Sequence, residues 1–211
     1  INKMLGDKTS NRLRIAILGS GAGSNLHAII TAVQNGALNA EIAITISDQA
    51  DSCFLNIARE ASLPAQFVDP GSNPRKLGDA AQKEIFEHLE RARVDVVVLA
   101  GFMRILKEPV ISAYSGRIVN VHPSLLPKHK GANAPQLAIE AGDSETGCTV
   151  HLVTAEIDAG RTLAQAKVPV LPNDTAETLH QRIKTEEHKL LPKVLNEWGE
   201  LGLPVRGAGA P

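Results

Sequence analysis

The sequence predicts a single α/β domain with a mainly parallel, twisted sheet, helices on both faces and an antiparallel edge. Short apolar runs alternate with stretches of helical periodicity along the whole chain, which is typical of this fold class. The last two apolar runs, at 149–153 and 161–170, leave no room for a crossover helix, so they are expected to pair antiparallel at one end of the sheet. The 211 residues, 43% of them hydrophobic, suffice for one domain with a sizeable core.

The strands are predicted from apolar runs that end at turn residues. The run at 94–100, which contains Val-Val-Val-Leu, is the most continuous one. It is therefore expected to be a central parallel strand that is buried on both faces. The other predicted strands are 13–18, 41–46, 66–68, 116–121 and the two runs of the antiparallel edge.

The helices are predicted from apolar residues spaced three and four apart. Asp174 or Thr175 is expected to cap a last long helix that runs to about Trp198, with Glu177 as the capping-box partner. The termini, 1–11 and about 200–211, are expected to be loose parts of a domain that comprises 1–211. The other predicted helices are 24–34, about 52–61, 76–93 and 134–141.

Composition excludes several kinds of partner. With 22 Lys plus Arg and 23 Asp plus Glu, the formal net charge is −1, so no nucleic-acid partner is expected. No apolar run reaches membrane length. Cys53 and Cys148 are far apart, which argues against a disulfide framework and fits a reducing cytoplasm. The seven His show no HExxH or HxH spacing, so no metal site is expected.

The octapeptide 120–127, Asn-Val-His-Pro-Ser-Leu-Leu-Pro, is the most informative stretch. Asn120 and His122 are two residues apart, so on a strand their side chains share a face. Pro123 and Pro127 would fix the backbone just beyond the pair. The octapeptide alone is equally compatible with a site at a strand end and with a polar strand end that carries a satisfied surface histidine.

The first βα turn, 19–25, reads Gly-Ser-Gly-Ala-Gly-Ser-Asn. Such a turn exposes backbone N–H groups at a helix N-terminus, where they bind an anion. Ser24 is expected to add a hydroxyl donor and to cap the helix. The dinucleotide fingerprint fails because Ser24 replaces its third glycine, and the P-loop pattern is absent. A phosphate monoester is therefore favoured over a turn in which the glycines serve only packing.

Two further segments leave open alternatives. An apolar cluster with one Arg, at 100–106, follows the strongest strand and suits either a flat organic ligand or a hydrophobic stop against the core. Asp158 lies in a turn between strands, where aspartates are usually only turn formers. His151 falls within an apolar strand and is read as a satisfied core or edge residue.

Four motifs in order, GSGAGSN, LAGFMRIL, NVHPSLLP with KGANA, and GCTVHLVTAEIDAGRTLAQ, resemble the glycinamide ribonucleotide formyltransferase family from about 13 to 195. The resemblance implies a formyltransferase-like fold. It also implies formyl transfer from 10-formyltetrahydrofolate to the amine of 5-phosphoribosyl-glycinamide, a step of purine biosynthesis. The expected enzyme is cytoplasmic, a monomer or homodimer, and needs no metal.

The resemblance also implies roles for individual residues. The catalytic trio matches Asn120, His122 and Asp158. The residues that match the ribonucleotide site are Gly23, Ser24, Asn25, Lys184 and Glu187. The residues that match the folate site are Arg75, Met103, Arg104, Ile105, Leu106, Asn120, Thr154, Ala155, Glu156, Ile157 and Asp158.

Two positions depart from the family, and two rival functions share part of the pattern. Pro135 stands where many members have His, and Arg161 where many have Pro; neither touches the trio, so a change of detail is expected. Formyltetrahydrofolate deformylase, a hydrolase, typically has a second His and a Phe in the segment that matches 123–125. A folate- or nucleotide-binding module without catalysis would not need the trio.

Overall fold

The computed structural model describes residues 12–73 and 76–206, which form seven strands and six helices. The strands are β1 (Leu13–Leu18), β2 (Ala40–Ser47), β3 (Ala65–Phe67), β4 (Val96–Leu99), β5 (Ile118–His122), β6 (Glu145–Leu152) and β7 (Thr162–Pro169). The helices are α1 (Ser24–Gln34), α2 (Cys53–Glu60), α3 (Asp79–Arg91), α4 (Val110–Ala113), α5 (Ala134–Glu140) and α6 (Ala176–Asn196).

All seven strands lie in one sheet, in the order β3-β2-β1-β4-β5-β6-β7. The first five strands of this order pair parallel, whereas β5 with β6 and β6 with β7 pair antiparallel. The predicted fold class and its antiparallel edge are therefore confirmed. No helix within the described ranges is long and apolar enough to cross a membrane.

The sheet separates two apolar cores, and alternate residues of each strand enter one or the other. In β4, Val96 and Val98 pack with α1, α2, α5 and α6, while Val97 and Leu99 pack with α3 and α4. The four residues are 0–7% exposed, which confirms the prediction of a central strand that is buried on both faces.

The same alternation positions the polar residues of β5. Val119 and Val121 belong to the core beneath α1, α2, α5 and α6. Ile118 joins the other core, where α3 and α4 cover β1, β2 and β4. Asn120 and His122 share the face of Ile118, so they lie beside the region that α3 and α4 cover.

Two sequence predictions of helices need correction, and one short helix was not predicted. The helix predicted at 76–93 begins at Asp79, because Lys76 instead forms a parallel bridge with Ile105. Thr175 caps α6 as predicted, but its capping-box partner is Thr178 rather than Glu177. The box requires the third residue after the cap, and that residue is Thr178. The four-residue α4 was not predicted, since one turn has no detectable periodicity.

The described part of the C-terminal segment packs against the domain. Leu203 is 8% exposed, and Trp198 donates its Nε1–H to the Pro204 carbonyl at 3.1 Å. Arg206 pairs with Glu90 at 2.9 Å. The termini 1–11 and about 200–211 were predicted to be loose, but 203–206 make these contacts, and 1–11 and 207–211 lie outside the described residues.

Candidate active site

The pairing of β5 with β6 places two nitrogen-bearing side chains together. Asn120 lies directly opposite His151, and directly opposed residues of antiparallel strands project to the same face. Asn120 Nδ2 is 3.2 Å from His151 Nε2. His151 is 1% exposed, and its Nδ1 contacts the Leu152 carbonyl at 2.9 Å. The sheet register therefore adds His151 to the predicted pair of β5.

Asp158 reaches this cluster from the connection between β6 and β7. Its Oδ2 is 3.4 Å from His122 Nδ1, and its Oδ1 is 3.5 Å from His151 Nε2. The Gly131 backbone N–H donates to Oδ2 at 2.8 Å. Asp158 has φ +48°, a left-handed conformation that is uncommon for a residue other than glycine. The structure thus brings the Asp158 carboxylate to His122 directly and to Asn120 through His151.

The surroundings of Asp158 keep its carboxylate charged. Burial acts to raise its pKa, but the His151 hydrogen bond, the Gly131 N–H and the positive charge of His122 outweigh burial and lower the pKa to about 2. The side chain is only 9% exposed. A buried carboxylate that remains ionised at neutral pH provides a fixed negative charge beside both imidazole rings.

Both ring nitrogens of His122 face oxygen atoms. Nε2 is 2.9 Å from the His129 carbonyl, and Nδ1 faces Asp158. A carbonyl and a carboxylate only accept hydrogen bonds, so both contacts are satisfied when each ring nitrogen carries a hydrogen. The geometry accordingly suits the imidazolium form of His122.

His151 is the site residue that sequence reasoning missed. Its Nε2 faces both the Asn120 amide and the Asp158 carboxylate. Unprotonated, this nitrogen accepts from Asn120; protonated, it donates to Asp158 and leaves the amide free for another acceptor. The motif at 147–151 contained the signal, but only the β5–β6 register identifies Asn120 as the neighbour of His151.

The glycine-rich turn ends at Gly23, which is the N-cap of α1 with φ +75°. A Cβ atom at this position would lie 2.9 Å from Ile57 Cδ1 and 3.0 Å from Phe54 Cα, so glycine is required by conformation and by space. The prediction that Ser24 caps the helix is wrong. Ser24 is the first helical residue, since Gly23 already occupies the cap, and no side-chain hydrogen bond caps α1.

Asn25 and Glu187 join the start of α1 to α6. Asn25 Nδ2 donates to Glu187 Oε2 at 2.9 Å, and the residues are 8% and 4% exposed. Burial raises the pKa of Glu187, while the Asn25 hydrogen bond and the charge of the half-buried Lys184 partly offset that rise. Two of the segments predicted to bind the ribonucleotide are therefore in direct contact.

The two segments predicted to line the folate site also meet. A cavity of about 280 Å³ is lined by Ile105, Leu106, Ile111 and Ala155, together with the neighbouring polar pair at 107–108. Met103, by contrast, is 73% exposed. The apolar lining suits one face of a flat organic ligand.

Arg104 is placed differently from its predicted neighbours in that segment. Its Nε donates to Asp48 Oδ2 at 2.6 Å, and its Nη1 donates to the Asn73 carbonyl at 2.7 Å. Burial acts to raise the pKa of Asp48, but hydrogen bonds from Ser20 and Arg104 produce a net lowering. The guanidinium therefore ties three loops together. Arg75 lies outside the described residues.

The remaining predicted residues lie in the connection after β6. Thr154, Ala155, Glu156 and Ile157 are all exposed, and Ile157 is 54% exposed. The Thr154 hydroxyl donates to the Glu156 carbonyl at 3.2 Å. This exposed segment leads directly into Asp158. One loop therefore carries both Ala155, which lines the cavity, and the Asp158 carboxylate.

The two departures from the family have structural settings of their own. Pro135 is buried in the first turn of α5, where a missing N–H breaks no helical hydrogen bond. Arg161 is exposed, and its carbonyl accepts from Leu152 N at 2.9 Å.

Among the described residues, no group of three or more His, Cys, Asp or Glu is arranged to hold a metal ion.

Comparison with known proteins identifies the family to which this chain belongs. A family model described as formyl transferase matches residues 13–195, so the chain belongs to this family. Within it, the chain is 43% identical to phosphoribosylglycinamide formyltransferase of Haemophilus influenzae over 189 residues, which cover 89% of this chain and 87% of that one. Glycinamide ribonucleotide transformylase 1 of Symbiobacterium toebii superposes with a TM-score of 0.86 at 40% identity, covering 92% and 94% of the two chains.

Longer and more distant relatives complete the comparison. The chain is 44% identical over 186 residues to the trifunctional purine biosynthetic protein adenosine-3 of Drosophila pseudoobscura pseudoobscura, but it spans only 14% of that protein's length. A formyltetrahydrofolate deformylase of Pseudomonas syringae shares the fold with a TM-score of 0.82 at 26% identity, and the match covers 62% of the deformylase chain. The relatives named phosphoribosylglycinamide formyltransferase and glycinamide ribonucleotide transformylase 1 thus match over more of their own length than either of these proteins, and at higher identity than the deformylase.

Proposed function

We propose that this chain transfers a formyl group from 10-formyltetrahydrofolate to the amine of 5-phosphoribosyl-glycinamide, giving formylglycinamide ribonucleotide for purine biosynthesis. The observation that carries the proposal is the Asp158 carboxylate within 3.5 Å of both His122 and His151, with the Asn120 amide beside them. Binding alone does not require a buried carboxylate, two imidazoles and an amide on one sheet face. Proton transfer and stabilisation of a developing charge do require such groups.

Asn120 has the role of the oxyanion donor. The substrate amine attacks the formyl carbon, and the formyl oxygen takes the negative charge of the tetrahedral intermediate. The half-buried Asn120 amide can donate to that oxygen, most readily when His151 Nε2 is protonated and bonded to Asp158. The bond from carbon to the folate N10 then breaks, and the carbonyl re-forms as the new formamide.

His122 and Asp158 are proposed to transfer the proton from the attacking amine to the leaving nitrogen. The attacking nitrogen must lose one proton and the departing N10 must gain one, so the reaction consumes no net acid or base. His122, as imidazolium, can donate from Nδ1 toward the oxyanion or the leaving nitrogen and be reprotonated from the amine, since the 3.4 Å contact of Nδ1 with the ionised Asp158 is the longer of its two contacts and Nε2 stays bonded to the His129 carbonyl.

Direct transfer fits the nucleophiles near the cluster. Burial raises the pKa of the Cys148 thiol to about 12, so it is protonated at neutral pH. The Ser124 hydroxyl donates to the Lys128 carbonyl at 2.6 Å, and the Thr149 hydroxyl donates to Ser124 O at 2.6 Å. Without an activated nucleophile, positioning of the two reactants would supply a large share of the acceleration, about 7–11 kcal/mol at most.

The two proposed binding regions flank this cluster in sequence. The start of α1 offers backbone N–H groups for the phosphate, and the adjoining Glu187 can accept hydrogen bonds from ribose hydroxyls. The cavity at Ile105, Leu106, Ile111 and Ala155 would take the pterin ring. We further propose a cytoplasmic location, in keeping with the free thiols of Cys53 and Cys148, and a monomer or homodimer as the working form.

A spectrophotometric assay tests the function. Release of tetrahydrofolate that depends on 5-phosphoribosyl-glycinamide supports the proposal. Equal folate turnover with water alone would identify a deformylase instead. Tight folate binding in calorimetry without any turnover would identify a binding module.

A further inference from the structure

The loop that follows β5 supplies two backbone groups to the catalytic cluster. The His129 carbonyl accepts from His122 Nε2 at 2.9 Å, and the Gly131 N–H donates to Asp158 Oδ2 at 2.8 Å. The orientation of His122 and Asp158 therefore depends on the exact course of the chain between these two loop residues.

His129 adopts a backbone conformation that needs support. Its φ is +52°, in the left-handed region, which costs free energy for a residue with a Cβ atom. Such a conformation persists where neighbouring contacts hold it. On one side of His129 the Lys128 backbone is held, because its N–H donates to the Leu125 carbonyl at 3.2 Å and its carbonyl accepts from Ser124 Oγ at 2.6 Å. On the other side Lys130 is exposed.

The side chain of His129 provides the support. Its Nε2 is 2.7 Å from Asp143 Oδ2, in the connection between α5 and β6, and the two side chains are 16% and 14% exposed. Asp143 also accepts from Lys128 Nζ at 2.8 Å. Hydrogen bonds from Lys128 and His129 lower the pKa of Asp143, which keeps this acceptor charged.

We propose that His129 is a positioning residue: its bond to Asp143 fixes the left-handed turn that aims the His129 carbonyl at His122 and the Gly131 N–H at Asp158. His129 does not touch substrate in this assignment and acts only through the other two side chains. We call this contact between His129 Nε2 and Asp143 Oδ2 the clamp. It forms with a neutral His129 ring as well as with an imidazolium, since donation from Nε2 requires only one hydrogen.

The first test is kinetic, and it rests on the proposed formyl-transfer function because it measures turnover. Replacing His129 by Ala is expected to lower kcat about 10- to 100-fold, because a displacement of about 1 Å at a reacting group has effects of this size. The KM for the amine substrate should change less than about twofold, and the Gln variant, which retains a donor of similar reach, should recover most of kcat.

A double-mutant cycle identifies the partner. The Asp143→Ala variant and the double variant with His129→Ala should have the same kcat as His129→Ala alone, because all three lack one contact. Lys128→Met separates the exposed lysine's contribution and should change kcat little. His88→Ala is the matched control, since the His88 side chain is 17% exposed, close to the 16% of His129, and pairs with a carboxylate, Glu84 on α3, at 3.7 Å.

Nitrogen NMR of the His122 ring supplies a readout that needs no turnover. His129→Ala should shift the His122 Nε2 signal, while His88→Ala should leave it unchanged. A wild-type chain without transfer activity would refute the function, yet the His122 signal would still test the clamp.

The clamp itself is overturned if folded His129→Ala, judged by circular dichroism, retains kcat within twofold and an unshifted His122 signal. It is equally overturned if the Ala and Gln variants behave alike. Should His129→Ala fail to fold, Gln and Asp143→Asn carry the same comparison.

Discussion

Two buried carboxyl groups, Asp158 and Glu187, occupy opposite electrostatic settings. Asp158 has two imidazole rings and a backbone N–H around it, and its pKa is lowered to about 2. Glu187 is more deeply buried with one neutral amide as its hydrogen-bond partner, and burial raises its pKa. The same chemical group is thus held charged on the sheet face and shifted toward its neutral form at the helix junction.

The difference is consistent with the different tasks that we propose for the two carboxyl groups. A fixed negative charge beside imidazoles stabilises cations and orients proton carriers, which serves chemistry. A carboxyl with an easily accessible neutral form is suited to hydrogen bonding with sugar hydroxyls, which serves binding. Variants of each carboxyl can break or sharpen this division.

The largest effect is expected for Asp158→Asn. The amide keeps the shape but removes the charge that holds both histidines, so kcat should fall about 10²–10⁴-fold. Folate affinity, measured by calorimetry, should change far less. The exposed Asp51→Asn serves as the control. Near wild-type rates for both Asp158→Asn and His122→Ala would rule out the proposed trio.

Asn120→Ala comes next, as a test that the sheet-face cluster acts on the transition state. Loss of one oxyanion donor typically lowers kcat about 10²–10³-fold. We expect a loss of that order in the transfer assay, with Asn39→Ala, an exposed position before β2, as the control. An effect on KM alone would assign Asn120 to substrate binding rather than to stabilisation of the transition state.

Glu187, the second carboxyl group of the comparison, is tested by the effect of Glu187→Leu on the free energy of unfolding. The Asn25 amide would lose its acceptor in a buried setting, and its Oδ1 already has no partner, so unfolding free energy should fall by about 1–3 kcal/mol. Glu187→Gln retains an acceptor and should not show this loss. Denaturant titrations of both variants would decide, and equal stability of Leu and wild type contradicts the prediction.

The smallest effect is the pH dependence of stability, which has opposite signs at the two sites. Asp158 has a lowered pKa, so its contribution is full above the ordinary value of 3.8 and is lost as pH falls toward about 2, at most about 2 kcal/mol. Glu187 has a raised pKa, so its contribution is full below 4.5 and is lost as pH rises through the folded value. In a profile of Tm against pH, Asp158→Asn should flatten the limb below pH 3.8, and Glu187→Gln should flatten the limb above pH 4.5.

Local sequence pattern predicted much of this molecule, because strand and helix periodicity are local properties. The shared face of Asn120 and His122 followed from their spacing alone. Asp158 could not be placed in the same way, because its position depends on the β6–β7 pairing and on a left-handed φ. The pairing of Arg104 with Asp48 joins residues 56 positions apart, and no spacing rule connects them.

The alternation along β5 and β6 has a consequence for how this sequence can vary. Val119, Val121, Cys148 and Val150 all enter the core under α1, α2, α5 and α6, while the intervening residues carry the polar cluster. Packing and chemistry therefore occupy separate, interleaved sets of positions. The core set can be redesigned freely within its volume, whereas a single inserted residue in either strand would exchange the two sets and bury the polar groups in the core.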